Sequence, residues 1–302
     1  MAEYHAYLQA LQPFSGEIEI LYDEPMARHT TFRIGGPADI FLRPRSVDAL
    51  RAVICEARAQ GVPCTVLGNG SNVLAPDAGL RGVVVCTGGL RGVEAGGQGV
   101  RAGAGALLSG VAKAALEASL TGLEFAAGIP GSAGGAVFMN AGAYGGQMAD
   151  VVREVAYLDG DGALRTCAGA DCGFGYRTSV FKAHPDWTVV SVTLGLTPGD
   201  PASIRTQMED LAQRRRDKQP LDLPSAGSTF KRPEGYFAGK LIQDAGLRGA
   251  AIGGAQVSEK HAGFIVNRGG ATSADVRALV SLVQRTVLER FGVALECEVR
   301  FL

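Results

Sequence analysis

Residues 128–146 read GIPGSAGGAVFMNAGAYGG, and seven of the nineteen are glycine. Phe138, Met139 and Tyr144 among them argue against a flexible linker. Glycine gives up more conformational entropy on folding than any other residue, so a structural element gains nothing by repeating it. Its abundance here predicts backbone that something must approach closely. Glycine-rich turns are the usual way to bring backbone N–H groups to a phosphate. Three further glycine turns lie upstream: RIGG (33–36), LGNGSN (67–72) and GAGA (103–106). Either each is an independent tight turn, or together they line one long polyanionic ligand such as a dinucleotide. The spacing leaves both open.

The best-known phosphate loops do not fit. A Walker A pattern, GxxxxGK followed by Ser or Thr, occurs nowhere in the chain. LGNGSNVL (67–74) nearly meets GxGxxG after a strand, but Val73 replaces the third glycine. Pro76 then stops the helix that a Rossmann turn must feed.

Composition narrows the class. A chain of 302 residues predicts two or three domains. The hydrophobic share of 46% and charged share of 20% are ordinary for a globular protein. Its 43 glycines follow no three-residue period and bring no excess proline, which excludes collagen and low-complexity disorder. A net charge of −1 gives no general pull toward nucleic acid or anionic lipid, so neither is expected as a partner. The basic run RRRDK (214–218) reads as the solvated end of a helix. Six cysteines, at 55, 64, 86, 167, 172 and 297, form no CxxC and no zinc-ligand spacing, so they read as reduced thiols and no metal is expected. The N-terminus lacks a basic n-region and an apolar h-region, and no apolar run reaches the ~18 residues of a membrane span. A cytoplasmic protein is expected.

Along the chain, residues 1–25 read as a short helical lead-in. Ser46 caps a predicted helix with Leu50, Val53, Ile54 and Ala57 on one face. CTVL (64–67), RGVVVCT (81–87), VVREVAYLD (151–159) and TVVSVTLGL (188–196) read as strands, and a helix is predicted at about 106–120. Asp200-Pro201 opens another helix, cap then proline, with Ile204, Met208 and Leu211. Ser273 is the expected cap of a last helix carrying Val276, Leu279, Val280, Val283 and Val287. VALECEVRFL (293–302) reads as a closing strand.

TTFRIGG (30–36), VLGNGSNVL (66–74), GLEFAAGIPGSAGGAVFMNAGAYGG (122–146), FGYRTS (174–179), PSAGSTFKRP (224–233) and LECEVRFL (295–302) occur in that order. Together they closely resemble the UDP-N-acetylenolpyruvoylglucosamine reductases, flavoenzymes of bacterial peptidoglycan synthesis. The resemblance spans nearly the whole chain, and the compact FGYRTS region resembles the shorter, type II subgroup. It implies a fold of α+β and α/β character. An FAD-binding domain of the vanillyl-alcohol-oxidase (PCMH) type would cover 26–197 in two lobes split near 90–100. An α/β substrate-binding domain would cover 198–302.

The resemblance also implies FAD, held without a covalent bond, with NADPH as hydride donor and UDP-N-acetylglucosamine enolpyruvate as substrate. It assigns the cofactor to Arg33, Gly35, Gly36, Gly68, Asn69, Gly70, Ser71, Asn72, Gly128, Pro130, Gly131, Gly134, Gly135, Asn140, Ala141 and Gly142. Hydride reaching the enolpyruvyl methylene carbon leaves negative charge beside the carboxylate, so the site needs a proton donor and a charge clamp. Ser228 matches the family's donor; without the resemblance it reads as the end of the turn in PSAGS. Arg177 matches the catalytic arginine, and its guanidinium can grip a carboxylate or enolate through two hydrogen bonds. Glu298 matches the catalytic glutamate, although strand alternation cannot separate it from Glu296. Two acids on one face would raise the proton affinity of one of them.

Tyr176, Lys231 and Lys240 are candidate substrate contacts, the lysines for a diphosphate or simply as surface residues. Arg232 departs from the family, where many relatives have FKNP in place of FKRP, and this puts the carried-over asparagine contact in doubt. Two alternatives stay open. One is another FAD-linked oxidase of the same cofactor fold, which would often tether its flavin through His or Cys; only His29 lies near a candidate flavin motif. The other is a nucleotide-sugar binder without catalysis, which would have no need of Ser228, Arg177 and Glu298 together.

Overall fold

The computed structural model describes residues 4–302 and divides them into two compact units. The first comprises residues up to Tyr22, Asp39–Asn69 and Arg81–Gln213; the second comprises Asp23–Ala38, Gly70–Leu80 and Arg214–Leu302.

The first unit is built on two larger sheets, of four and five strands. One runs in the order Ile18–Pro25, Pro37–Pro44, Leu80–Cys86 and Cys64–Leu67, the last two parallel with Thr65 opposite Val84. The helix Val47–Ala59 buries Leu50, Val53, Ile54 and Ala57, and the Ser46 side chain caps it by accepting from Ala49 N at 3.1 Å. The face and cap are those the sequence predicts. Ile40, Leu42, Val83 and Val85 complete that core with Tyr7, whose hydroxyl donates to Val53 O at 3.1 Å. The second sheet is antiparallel, in the order Leu164–Ala168, Val152–Leu158, Thr188–Gly195, Gly99–Gly103 and Val93–Gly96. Helices Leu108–Glu117 and Ala133–Met139 join its core of Val100, Val111, Val137, Val155, Val192 and Leu194. The chain passes from one sheet to the other between Cys86 and Val93.

The second unit is built on an antiparallel sheet in the order Ser225–Ser228, Phe264–Asn267, Ala255–Val257 and Ala251–Ile252. Helices Ala238–Asp244 and Ser273–Phe291 cover it with Ile242, Leu279 and Val283.

Four local expectations are corrected. The lead-in is more than a helix: after Ala10 it enters the strand Ile18–Pro25, while residues 1–3 lie outside the described residues. Segments 23–38 and 70–80 group with the C-terminal unit, because Phe32, Ile34 and Leu74 are buried in its core. The long C-terminal helix is capped by Thr272, not Ser273: the Thr272 hydroxyl accepts from Asp275 N at 3.0 Å and Asp275 returns a bond to Thr272 N, a capping box. The closing strand is short. Only Arg300–Phe301 pairs, in parallel with Val73–Leu74, and residues 296–298 are held by a separate bridge between Phe230 and Cys297.

Candidate functional site

The glycine segment that opens the sequence reading conceals a helix. Ser132 sits in extended conformation, and Ala133–Met139 follows it as helix, ending at Asn140 in the left-handed region (φ 43°). Ala133 N donates to Ala106 O at 2.8 Å and Gly134 N to Ala104 O at 2.9 Å, so the first-turn amides are spent inside the protein. The reason for Gly134 is equally internal, since a Cβ there would come within 2.8 Å of the Ala104 Cβ.

The two residues before the helix differ. Gly131 and Ser132 are buried, yet among the described residues their N–H groups donate to no protein acceptor. A buried backbone donor without a protein partner is uncommon and is open to water or a ligand. In the turn at 68–71 the Asn69, Gly70 and Ser71 N–H groups also lack a protein acceptor among the described residues, but only Gly70 is buried there, Asn69 being exposed and Ser71 half-buried. Within the first unit the Asn69 side chain donates to Pro130 O at 2.6 Å, and Gly68 lies against Ser132 Oγ so closely that a Cβ would overlap it. Unpaired donors on glycine-rich turns fit an anionic pyrophosphate.

The remaining cofactor candidates divide by what holds them. Asn140 is 1% exposed, and its amide is committed inside the fold: Nδ2 donates to Gly175 O at 2.9 Å and to Gln147 Oε1, and Oδ1 accepts from Ala149 N. Ala141 N and Gly142 continue from it into the pairing of 142–143 with 146–147. Gly128 lies in the turn after the short helix Glu124–Ala126. Arg33, Gly35, Gly36, Gly70, Ser71 and Asn72 belong to the second unit. Arg33 is exposed with φ 55°. Gly35 has φ 133°, and a Cβ on it would stand 2.6 Å from the Ala75 Cβ; one on Gly36 would overlap the Asp77 carbonyl.

In that second unit the structure brings Ser228 and Glu298 onto neighbouring chain segments. Glu298 N donates to Thr229 O at 2.9 Å and Lys231 N to Glu296 O at 2.8 Å, flanking the Phe230–Cys297 bridge. Asn72 Nδ2 donates to Glu298 O at 3.1 Å, Arg300 N to Asn72 O at 3.0 Å, and Thr31 Oγ1 to Ser225 O at 2.7 Å. Asn72 thus braces the backbone of Glu298, and Thr31 the start of the strand Ser225–Ser228. Ser228 ends its strand after a register shift at Gly227 (φ 79°). Its hydroxyl is half-buried and has no hydrogen-bond partner among the described residues, whereas the Thr229 hydroxyl beside it accepts from Ile265 N at 3.0 Å. The geometry also separates the two glutamates. Glu296 is exposed and ion-paired with Lys231, while Glu298 is half-buried.

Arg177 lies in the first unit, in a turn closed by the Gly175–Thr178 bridge, with φ 56°. Its Nη2 donates to Gly142 O at 3.3 Å, and its guanidinium stands 5.1 Å from the ring centre of the exposed Tyr176. Lys240 pairs with Asp244 one turn along its helix at 2.8 Å. Arg232 stacks over Phe237 at 4.0 Å and donates from Nε to Tyr236 O, so the family's asparagine is replaced by a side chain that binds its own loop. His29 Nε2 is 2.9 Å from Glu24 Oε1. Sequence reasoning missed Ser132, although a serine before an apolar run is a capping signal. It also missed Asn267, whose Nδ2 reaches Phe32 O across 235 positions and which no local signal marks.

A family profile described as the UDP-N-acetylenolpyruvoylglucosamine reductase C-terminal domain matches residues 219–302, and one described as an FAD binding domain matches 38–168. The UDP-N-acetylenolpyruvoylglucosamine reductase of Clostridium perfringens is 48% identical over 302 residues, covering 100% of this chain and 99% of its own. That of Agathobacter rectalis is 51% identical over 299 residues, covering 95% of each. The crystal structure of UDP-N-acetylenolpyruvylglucosamine reductase from Thermus caldophilus superposes with a TM-score of 0.79 at 36% identity, covering 94% of this chain and 98% of that one. The chain belongs to the UDP-N-acetylenolpyruvoylglucosamine reductase family.

Proposed function

We propose that Ser228 supplies the proton, and Arg177 and Glu298 the charge stabilisation, in the reaction that family membership assigns to the chain. That reaction is the NADPH-dependent reduction of UDP-N-acetylglucosamine enolpyruvate to UDP-N-acetylmuramate in peptidoglycan precursor synthesis. FAD, recharged by NADPH, supplies the hydride. We assign its pyrophosphate, within the first unit, to the unspent N–H groups of Asn69, Gly131 and Ser132, with the Asn69 side chain tying its turn to the glycine segment through Pro130 O. No covalent tether is needed, and His29 is engaged with Glu24.

Hydride at the methylene carbon leaves a carbanion beside the substrate carboxylate. A serine hydroxyl is a very weak acid and gives its proton only to so strong a base. The observation that carries the assignment is the Ser228 hydroxyl itself, half-buried and with no protein acceptor to compete for its proton. The left-handed turn of Arg177 and its Gly142 contact hold the guanidinium in place before substrate arrives. Glu298 acts from a segment that Thr229 and Asn72 fix at the backbone. For the diphosphate, Lys231 and Lys240 would each exchange an existing carboxylate partner, Glu296 and Asp244; for the exposed Lys240 pair the cost is small, about 0–1 kcal/mol. Tyr176 offers a ring beside Arg177. Among the described residues no helix is long and apolar enough to cross a membrane, and the need for NADPH and a nucleotide sugar fits the cytoplasm.

Anaerobic two-step kinetics test the assignment. In Ser228→Ala, bleaching of the flavin by NADPH is expected at the wild-type rate, while reoxidation by substrate slows about 10²–10⁴-fold, the usual contribution of a positioned acid. Reoxidation at the wild-type rate would remove Ser228 from the chemistry.

A further inference from the structure

Cys172 Sγ lies 3.6 Å from Cys167 Sγ. The other four cysteines have no thiol neighbour among the described residues. Cys172 is fully buried after the short helix Gly169–Asp171, and Cys167 is half-buried near the end of the strand Leu164–Ala168. We propose that this pair is a thiol switch, which a hydroperoxide closes into a disulfide and which thereby slows the substrate half-reaction. The effect on rate rests on the role read above for Arg177.

The connection to Arg177 is short. The Cys172 carbonyl accepts from Val180 N at 2.8 Å and so closes the base of the turn 173–179. Gly175 O, held by Asn140, and Ser179 Oγ, donating to Phe138 O at 2.8 Å, fix the rest of that turn to the glycine segment. A disulfide needs its sulfurs about 2.05 Å apart. Closure therefore draws Cys172 toward the strand and moves the base on which Arg177 stands. Misplacing a catalytic group by about 1 Å can cost up to about 10²-fold in rate.

The chemistry balances with hydrogen peroxide as oxidant. Cys167, the more accessible sulfur, attacks one peroxide oxygen as thiolate; the O–O bond breaks, leaving a sulfenic acid and hydroxide. Burial pushes the Cys172 thiol up to about 12, so it stays protonated and out of the first step. Its sulfur then attacks the sulfenic sulfur, the S–S bond forms, the S–O bond breaks, and the departing hydroxide leaves as water with the thiol proton. Two thiols and one peroxide become one disulfide and two waters. In the cytoplasm such bonds are transient and regulatory.

The test treats FAD-loaded enzyme with hydrogen peroxide, alkylates the remaining thiols and maps the peptides without reduction. The expected result is a 167–172 cross-link that a phosphine reverses, together with several-fold slower flavin reoxidation by substrate and unchanged bleaching by NADPH. Cys167→Ser is expected to keep basal activity and lose the sensitivity, and Cys172→Ala serves the same purpose if a serine in the core impairs folding. A fully alkylatable Cys172 after treatment, or Cys167 driven to sulfinic acid, overturns the proposal. So does a cross-link that leaves reoxidation unchanged. Arg177→Lys is measured alongside: if it leaves reoxidation unchanged, the functional reading fails, whatever the cysteines do.

Discussion

The turn at Gly35-Gly36 and the turn at Gly131-Ser132 look alike in sequence and differ in what they spend. At the first, Gly36 N donates to Pro76 O at 2.9 Å, Gly36 O accepts from Met26 N, and Gly35 O accepts from Ala27 N. A Cβ at either position would meet protein. At the second, the N–H groups of Gly131 and Ser132 have no protein acceptor among the described residues. Glycine in the first turn serves chain crossing chain. The second leaves bonding capacity for something the protein alone does not supply. Counting glycines cannot tell these apart; following each amide to its acceptor can.

The sharpest way to break the comparison is to fill the crowded turn. Gly36→Ala places a methyl on the Asp77 backbone, which cannot step aside as a flexible side chain could. A loss of about 3 kcal/mol in unfolding free energy is expected, the upper end of what forcing extra volume against a fixed backbone costs. Urea denaturation of the FAD-free and FAD-loaded protein should show the loss in both. A loss confined to the loaded protein would mean that Gly36 serves the cofactor after all.

Gly135 supplies the opposite case. It is exposed on the first helical turn, its φ is ordinary, and a Cβ there would meet only Ser132 Oγ at 3.4 Å. Nothing in the protein requires glycine. Gly135→Ala is therefore expected to stabilise the FAD-free protein by about 0.5–1 kcal/mol, the helix-interior difference between the two residues. If a ligand passes this face, the same change weakens FAD binding. Isothermal titration with FAD decides: affinity unchanged beside a more stable apoprotein would leave this glycine without a reason in the cofactor.

Much of this architecture was legible where periodicity is local. The face of Val47–Ala59, the strands Cys64–Leu67, Leu80–Cys86, Val152–Leu158 and Thr188–Gly195, and the Asp200 cap of Pro201–Lys218 all follow from residues within one turn or strand of each other. The helix Ala133–Met139 was hidden because its two glycines, only the first of them required by close approach, erase helix propensity. Phe32, Ile34 and Leu74 could not be assigned to the C-terminal core from sequence, since their partners lie some two hundred positions away. Alternation put Glu296 and Glu298 on one face; that Glu296 is exposed and paired with Lys231, 65 positions upstream, while Glu298 is half-buried, is set by contacts across the fold.

The two capped helices give the smallest effect and the most specific one. Ala133–Met139 is capped by the Ser132 hydroxyl, which does not titrate near acid pH. Ser273–Phe291 is capped by carboxylates: Asp77 accepts from Ser273 N at 2.7 Å and Ala274 N at 3.0 Å, and Asp275 accepts from Thr272 N and Gly254 N. The Thr272 N–H first, then that of Gly254, holds the Asp275 carboxyl below its ordinary value. A carboxyl with a depressed folded pKa contributes stability that is present above its unfolded pKa of about 3.9 and is lost as pH falls through the folded value. Acidification below about pH 4 should therefore loosen the long helix of the second unit while leaving the Ser132 cap untouched. Hydrogen exchange at the amides of 276–279 and 136–139, followed between pH 5 and 2 after correction for intrinsic rates, should show protection falling first in the former. Asp275→Asn should flatten that fall, because the asparagine oxygen accepts the same bonds without a proton to gain. An equal fall at both helices, unchanged by the substitution, would assign the acid sensitivity to the protein's overall charge and not to this cap.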